Sequence, residues 1–389
     1  MKPRRRGAAL ACCLLMLLLA GAGCSQNSQQ NGAAEGPSLQ PQATVAPRGA
    51  ATPPALFADS ERTPILAAPR PIAIPADDGP HSVGLEWWYY HGHLQSVDGK
   101  SYGMMLTVFK RQGEQGRTGY VAHAAVTDSQ RKVFQFKEEV SLPAQTSAES
   151  KGFDLQVGEI RAAGYDGQDA VAAALKDYGF TLSFVSQKPA VLHGKTGFVG
   201  VSSNEASYYY SRTEMAVEGA LSDHGERASV RGAGWMDHQW GDFSLTGGGG
   251  WDWFAVELEG NTELMISVVR DAAGAAVLQY GTFVQPDGSY QHIDGSDITI
   301  LPKGSWTSPS TNVVYPMGWG IAIPRLLLQL DLAPTLREQE MDTSRSVDRI
   351  YWEGQAAVTG TLGDRSIRGM GYVELTGYDK MNRGSGGPR

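Results

Sequence analysis

Cysteine is scarce in this 389-residue chain, which carries only Cys12, Cys13 and Cys24. Cys12 and Cys13 fall inside an apolar N-terminal run. If Cys24 is acylated, the mature chain has no thiol. That excludes a disulfide framework, a Cys-ligated metal and a cysteine nucleophile, so the fold rests on its core. Clustered cations are missing too. The 33 Lys and Arg are scattered among 41 Asp and Glu, with a net charge of -8, which argues against nucleic acid as a partner. There is no Gly-x-Ser-x-Gly elbow, no His-Glu-x-x-His, no P-loop and no dinucleotide glycine fingerprint. A serine esterase of the usual α/β kind and a nucleotide-dependent enzyme are thereby disfavoured, and no cofactor is expected.

The N-terminus reads as a targeting segment. Lys2 and Arg4 to Arg6 precede an apolar core from Ala8 to Ala20, too short to span a bilayer comfortably. Gly21-Ala22-Gly23-Cys24 resembles a bacterial lipobox, departing from it at Gly21. The expectation is a signal peptide over 1–23, lipidation at Cys24 and a flexible tether over 24–66 rich in Gln, Asn, Ala, Ser and Pro. Such a chain would be exported as a cell-envelope lipoprotein on the periplasmic face of a bacterial membrane.

From Pro71 onward the texture is that of an all-β protein. "YGMMLTVFK" (102–110), "GYVAHAAVTD" (119–128), "YGFTLSFVS" (178–186), "ELMISVVRD" (263–271) and "LLLQLDLAP" (326–334) read as short strands rich in β-branched and aromatic residues. The 48 glycines and 20 prolines suit a chain that turns often. Asp98-Gly99, Glu259-Gly260-Asn261 and Asp287-Gly288 mark turns. "QDAVAAALKDY" (168–178) has helical propensity, or is a loop insertion. An internal echo links 88–108 with 252–269: an aromatic strand, a tight turn, then a strand with Met and β-branched residues. It suggests two β-units, 67–249 and 250–380, with a disordered tail over 381–389.

Four stretches mix aromatic and polar residues: "GLEWWYYHGHL" (84–94), "YYYSRTEM" (208–215), "GWMDHQWGDF" (234–243) and "GWDWFAVEL" (250–258). Neighbours on a strand point to opposite faces. Asp237, Gln239 and Gly241 therefore share one face, and Met236, His238 and Trp240 the other. Asp237 has two readings. It is an acid in an aromatic pocket, its pKa raised by burial, or an acceptor of turn amides beside a packed His238. Glu86, before Trp87-Trp88-Tyr89-Tyr90, is a buried ion-pair partner, with Arg212 the candidate, or a second acid in the same cavity. Asp252, between Trp251 and Trp253, is equally open. His91, His93 and His123 form a candidate metal set, His91 and His93 having the i, i+2 spacing of one strand face. Such spacing also arises by chance, and no metal is expected.

Taken together, "EWWYYHGHL", "YYYSRTEM", "GWMDHQWGDF", "GWDWFAVEL", "YPMGWGIAIP", "YWEGQAAVTG" and "GYVELTGY" resemble the AttH-like and carotenoid 1,2-hydratase-like family over about residues 80–380. The resemblance implies two lipocalin-like antiparallel β-barrel domains packed together. It also implies a hydrophobic ligand and, in the hydratase branch, cofactor-free addition of water to an isolated terminal double bond. On that reading Asp237 protonates the alkene, His238 orients or deprotonates water, and Trp240 and Trp253 face the cation. Glu86, Trp87, Trp88, Tyr90, Tyr209, Arg212 and Asp252 complete the expected ligand-binding set. "DHQWGD" is closer to the secreted AttH-like branch, and fold does not fix function. Two classes stay open. One is a hydratase or hydrolase acting on a lipophilic substrate. The other is a non-catalytic carrier of a hydrophobic molecule or lipid, or an accessory lipoprotein of a membrane transport complex. In either case the membrane is met through the N-terminal anchor.

Overall fold

The computed structural model describes residues 70–112, 117–141, 145–146, 151–202, 205–243 and 249–384. The signal segment, Cys24, the tether and residues 385–389 lie outside the described residues. Among those described, the architecture is antiparallel β throughout, in one 13-stranded sheet, one 10-stranded sheet and a two-stranded ribbon.

The first sheet runs, edge to edge, through strands Val133–Ser141, Thr118–Asp128, Ser101–Gln112, Leu85–Ser96, Glu226–Asp242, Glu205–Asp223, Tyr178–Ser186, Gln168–Ala174, Ile160–Tyr165, Phe153–Val157 and Gln145–Thr146. Its two ends approach each other, since the edge strand Val133–Ser141 packs against Phe153–Val157, next to the opposite edge. The sheet thus curls into a nearly closed barrel around its own core. The inward positions follow the two-residue period of a strand. Trp88, Tyr90 and Leu94 point in from Leu85–Ser96, and Met236 and Trp240 point in from Glu226–Asp242. Tyr89 and Trp235, on the opposite faces, point out and join a separate aromatic cluster.

The second sheet runs through Tyr290–Asp294, Ala276–Val284, Thr262–Arg270, Gly250–Leu258, Arg365–Leu375, Ile350–Leu362, Leu328–Pro334, Trp319–Ile323 and Thr299–Pro302. It surrounds a second core that contains Phe254, Trp319 and Trp352. The internal echo falls on the hairpin that leads each sheet, Leu85–Ser96 with Ser101–Gln112 and Gly250–Leu258 with Thr262–Arg270. The turn of the second hairpin places both Gly260 (φ 87) and Asn261 (φ 55) in the left-handed region, as a tight hairpin turn requires.

The segment 168–178, open between a helix and a loop insertion from its sequence, holds a strand, Gln168–Ala174. Asp169, Val171 and Ala173 are its buried positions. Pairing on both sides with Ile160–Tyr165 and Tyr178–Ser186 overrides the helix preference of alanine. The last described element is a helix, Tyr378–Gly384, which covers the first four residues of the expected tail. Tyr378 packs against the second core and anchors it.

Residues that project outward from the two sheets meet. Tyr89, Met105, Tyr209 and Trp235 from the first sheet pack with Trp253, Met265, Tyr280, Tyr351 and Tyr372 from the second. Buried polar bonds stitch the same seam. Tyr89 OH donates to Glu353 Oε1 at 2.7 Å. His123 meets Tyr351 OH at 2.8 Å. Lys188 Nζ donates to Glu263 Oε1 at 2.7 Å.

Candidate active site between the sheets

A cavity of about 340 Å³ opens in this seam. Trp87, Tyr89, Tyr209 and Asp237 line it from the first sheet, and Trp251, Trp253, Tyr351 and Glu374 from the second. Its walls are mostly apolar and rich in aromatic rings, with a few converging polar groups, the usual character of a small-molecule site. Register explains the convergence. Tyr89 lies opposite Asp237 on the adjoining strand, and Trp253 lies opposite Glu374. Each pair therefore presents side chains on the same face of its sheet.

Asp237 is 4% exposed and sits among donors. Tyr209 OH donates to its Oδ2 at 2.6 Å, and Trp235 Nε1 donates to its Oδ1 at 2.6 Å. The Ser211 hydroxyl makes a further short bond to Oδ1. A chain of bonds continues on either side. Trp253 Nε1 donates to Tyr209 OH at 3.0 Å. His193 lies 2.7 Å from Ser211 Oγ and 2.9 Å from Thr282 Oγ1 of the second sheet. Burial raises the Asp237 carboxyl, and the three donors offset only part of that, leaving it at about 6. Burial also lowers His193 to about 3, so its ring stays uncharged.

Glu374 is a further carboxyl on the cavity, which Asp271 also lines. It is half-buried, enclosed by protein but open to the cavity, and accepts Trp251 Nε1–H at 2.8 Å. Burial pushes it up to about 7, and the nearby Asp237 charge adds to the rise. Glu353 stands opposite Glu374 across two strands. Burial and the facing second carboxylate hold it well above the usual carboxylate range. The cavity thus holds two carboxyls that titrate near neutrality, the arrangement needed for one to give a proton while the other takes one.

The remaining sequence candidates divide differently from expectation. Trp87, Tyr209, Asp237 and Trp253 reach the cavity. Glu86, Trp88, Tyr90, Arg212, His238 and Trp240 do not, because their strand positions turn them into the first barrel. There Glu86 accepts His238 Nε2 at 2.9 Å, His81 Nδ1 at 2.7 Å and Lys110 Nζ at 3.0 Å. Burial opposes its charge, but these donors hold it at about 2. Trp240 lies flat on His81 at 4.1 Å, and Trp88 stacks on His238 at 4.7 Å. The expected Glu86–Arg212 ion pair is not formed. Arg212 pairs with Asp78 at 3.2 Å, while Lys110 neutralises Glu86. His238 therefore cannot orient water in the cavity, nor can Trp240 face a cation there. Asp252 pairs with Arg270 at 2.8 Å and accepts Tyr378 OH at 3.1 Å. His123 bonds Tyr351 and Ser346 and stands apart from the candidate group formed by His91, His93 and Glu257.

Sequence reasoning missed Glu374, Glu353 and Tyr89 as site residues. All three stand in quoted motifs, "GYVELTGY", "YWEGQAAVTG" and "EWWYYHGHL". Alternation with the barrel-facing Trp88 and Tyr90 was the available signal for Tyr89. No local signal pairs Glu353 with Glu374.

A family model described as AttH-like matches residues 66–378. The structure of an AttH protein from Nitrosomonas europaea is 26% identical, covers 82% of this chain and 100% of its own, and superposes with a TM-score of 0.73. Kievitone hydratase from Nectria haematococca shares the fold, with a TM-score of 0.65 at 18% identity over 82% of this chain and 96% of its own. The dehydratase asqC from Emericella nidulans is 24% identical over 204 residues, which is 50% of this chain. The match spans 57% of that relative's length.

Proposed function

Because the chain belongs to the AttH-like family, we propose that it is a cofactor-independent hydro-lyase acting on a lipophilic substrate in the cavity between the sheets. One observation carries this reading: two carboxyls raised toward neutrality, Asp237 and Glu374, face one aromatic chamber. The likeness to a hydratase and a dehydratase supports the same reaction class, run in either direction.

In hydration, protonated Glu374 delivers its proton to one alkene carbon. The other carbon becomes cationic beside the faces of Trp251 and Trp253. Water adds to it and loses a proton to Tyr209 O as Tyr209 passes its own proton to Asp237 Oδ2. The sum is alkene plus water to alcohol, and both carboxyls reset by exchange with solvent. Dehydration is the reverse. Asp237 is assigned the basic role because three donors favour its ionised form.

The test starts from the full chain extracted with organic solvent, its occupant identified by mass spectrometry. That compound is returned to the protein in isotope-labelled water. The reading expects heavy oxygen in the hydroxyl product, with exchange lost in Glu374→Gln and Asp237→Asn. A near-stoichiometric occupant that never exchanges would make the protein a carrier instead. The basic start, the apolar run and the small residues before Cys24 support an envelope lipoprotein. Lipid mass on Cys24, and its loss in Cys24→Ser, tests that placement.

A further inference from the structure

We propose that His91, His93 and Glu257 bind a divalent transition-metal ion of the zinc class, tying the first sheet to the second. The two histidines stand on Leu85–Ser96 of the first sheet, and Glu257 on Gly250–Leu258 of the second. His91 Nε2 lies 3.4 Å from Glu257 Oε1, and His93 Nε2 lies 3.5 Å from Glu257 Oε2. These separations are too long for good hydrogen bonds. The His91 Nε2–Oε1 separation is that of one edge of a tetrahedron whose metal–ligand bonds are about 2.0–2.1 Å, roughly 3.3–3.4 Å, while His93 faces the other oxygen of the same carboxylate. The three candidate ligand atoms all lie within 4.8 Å of one another.

The polar inventory points the same way. Both ring nitrogens of His91, Nε2 of His93 and Oε1 of Glu257 are buried without a protein hydrogen-bond partner. His91 is 0% exposed. Leaving so many polar atoms unpaired in one place is unfavourable, and one cation would engage three of them. The rings are already fixed. His91 stacks on Tyr372 at 4.7 Å and lies nearly parallel to Trp235 at 6.0 Å. The Gln355 amide lies 2.8 Å from His93 Nδ1. Turned over, its carbonyl accepts Nδ1–H and leaves the Nε2 lone pair for the metal, the supporting bond that metal-bound imidazoles usually have. A surface cavity of about 800 Å³ reaches His93 and Gln355, giving an entry path and room for a water as fourth ligand. Two imidazoles and one carboxylate favour zinc over magnesium or calcium.

A similar group elsewhere sharpens the choice. His81, Glu86 and His238 are also close together, but the Lys110 ammonium already occupies the cationic position at 3.0 Å from Glu86. Among the described residues the His91 group has no such built-in cation, its ion pairs being those within the trio.

The full chain, stripped with a chelator, is titrated with zinc against a chromophoric competitor. The expected result is one equivalent bound, a thermal midpoint raised by zinc and lowered again by chelator, and visible absorption on cobalt substitution. The near-isosteric variants His93→Gln and Glu257→Gln each lose at least tenfold in zinc affinity, and Gln355→Ala loses roughly 10–100-fold. His292→Gln, outside the group, binds as the parent does. No stoichiometric binding to the stripped parent, or equal affinity in the parent, His93→Gln and Glu257→Gln, overturns the proposal. The readout needs no substrate, so it stands or falls apart from the hydro-lyase reading.

Discussion

Replacing Asp237 with Asn should make the protein less stable in acid and more stable at neutral pH, with the difference changing sign between. The carboxyl stands at about 6 in the fold against 3.8 as a free group. Below pH 3.8 both states hold the proton and the ionised form matters to neither. Between 3.8 and about 6 the folded chain keeps a proton that the unfolded chain has released, so stability falls as pH rises. Above about 6 the loss is complete. A shift of this size corresponds to about 3 kcal/mol, most of it developing between pH 4 and 7. Asn keeps Oδ1 for Trp235 and Ser211 but turns an NH₂ toward Tyr209, at about 1 kcal/mol. The variant should therefore be about 1 kcal/mol weaker than the parent at pH 3 and about 2 kcal/mol stronger at pH 7. Urea unfolding of both proteins across that range measures it, and paired measurement cancels the acid sensitivity of Glu86 and Asp77, both held at about 2. A stability difference that stays flat with pH would show that Asp237 is an ordinary ionised carboxylate, and its proton-transfer role would go with it. Stabilisation at neutral pH with loss of turnover is the pattern expected of a site residue held against its own preference.

Other consequences follow from the same geometry. Turnover should trace a bell in pH, rising as Asp237 ionises near 6 and falling as Glu374 loses its proton near 7; a flat profile from pH 5 to 8 contradicts the pairing. Glu353→Gln should leave that bell in place, because burial and Asp237 are what raise Glu374 and glutamine still accepts from Tyr89; a shifted alkaline limb would mean that Glu353 shares the working proton. Lys188→Ala should destabilise by roughly 3–5 kcal/mol by stranding Glu263 in the seam, read by denaturant midpoint, and Lys188→Met with Glu263→Leu should recover most of it. Trp319→Ala, emptying a site that is 1% exposed in the second core, should lose roughly 3–5 kcal/mol by the same measurement.

The sequence by itself determined the class of fold and the sidedness of each strand. Strand length, turn residues and two-residue alternation are local, so the hairpins of the echo and the opposition of Asp237 to His238 could be read directly. Alanine-rich 168–174 misled because its strand is specified by neighbours on both sides rather than by its own residues. Which face of a strand looks into a barrel and which looks out at another sheet is not local. It depends on closure of the first sheet and on the docking of the second. That step sends Trp88, His238 and Trp240 inward to the network around Glu86 and Tyr89, Asp237 and Trp253 outward to a cavity. It also gives Asp237 a partner acid, Glu374, 137 positions along the chain. The physical reason is that burial and nearby charge set a carboxyl's pKa, and both come from residues remote in sequence that only the packed sheets bring together.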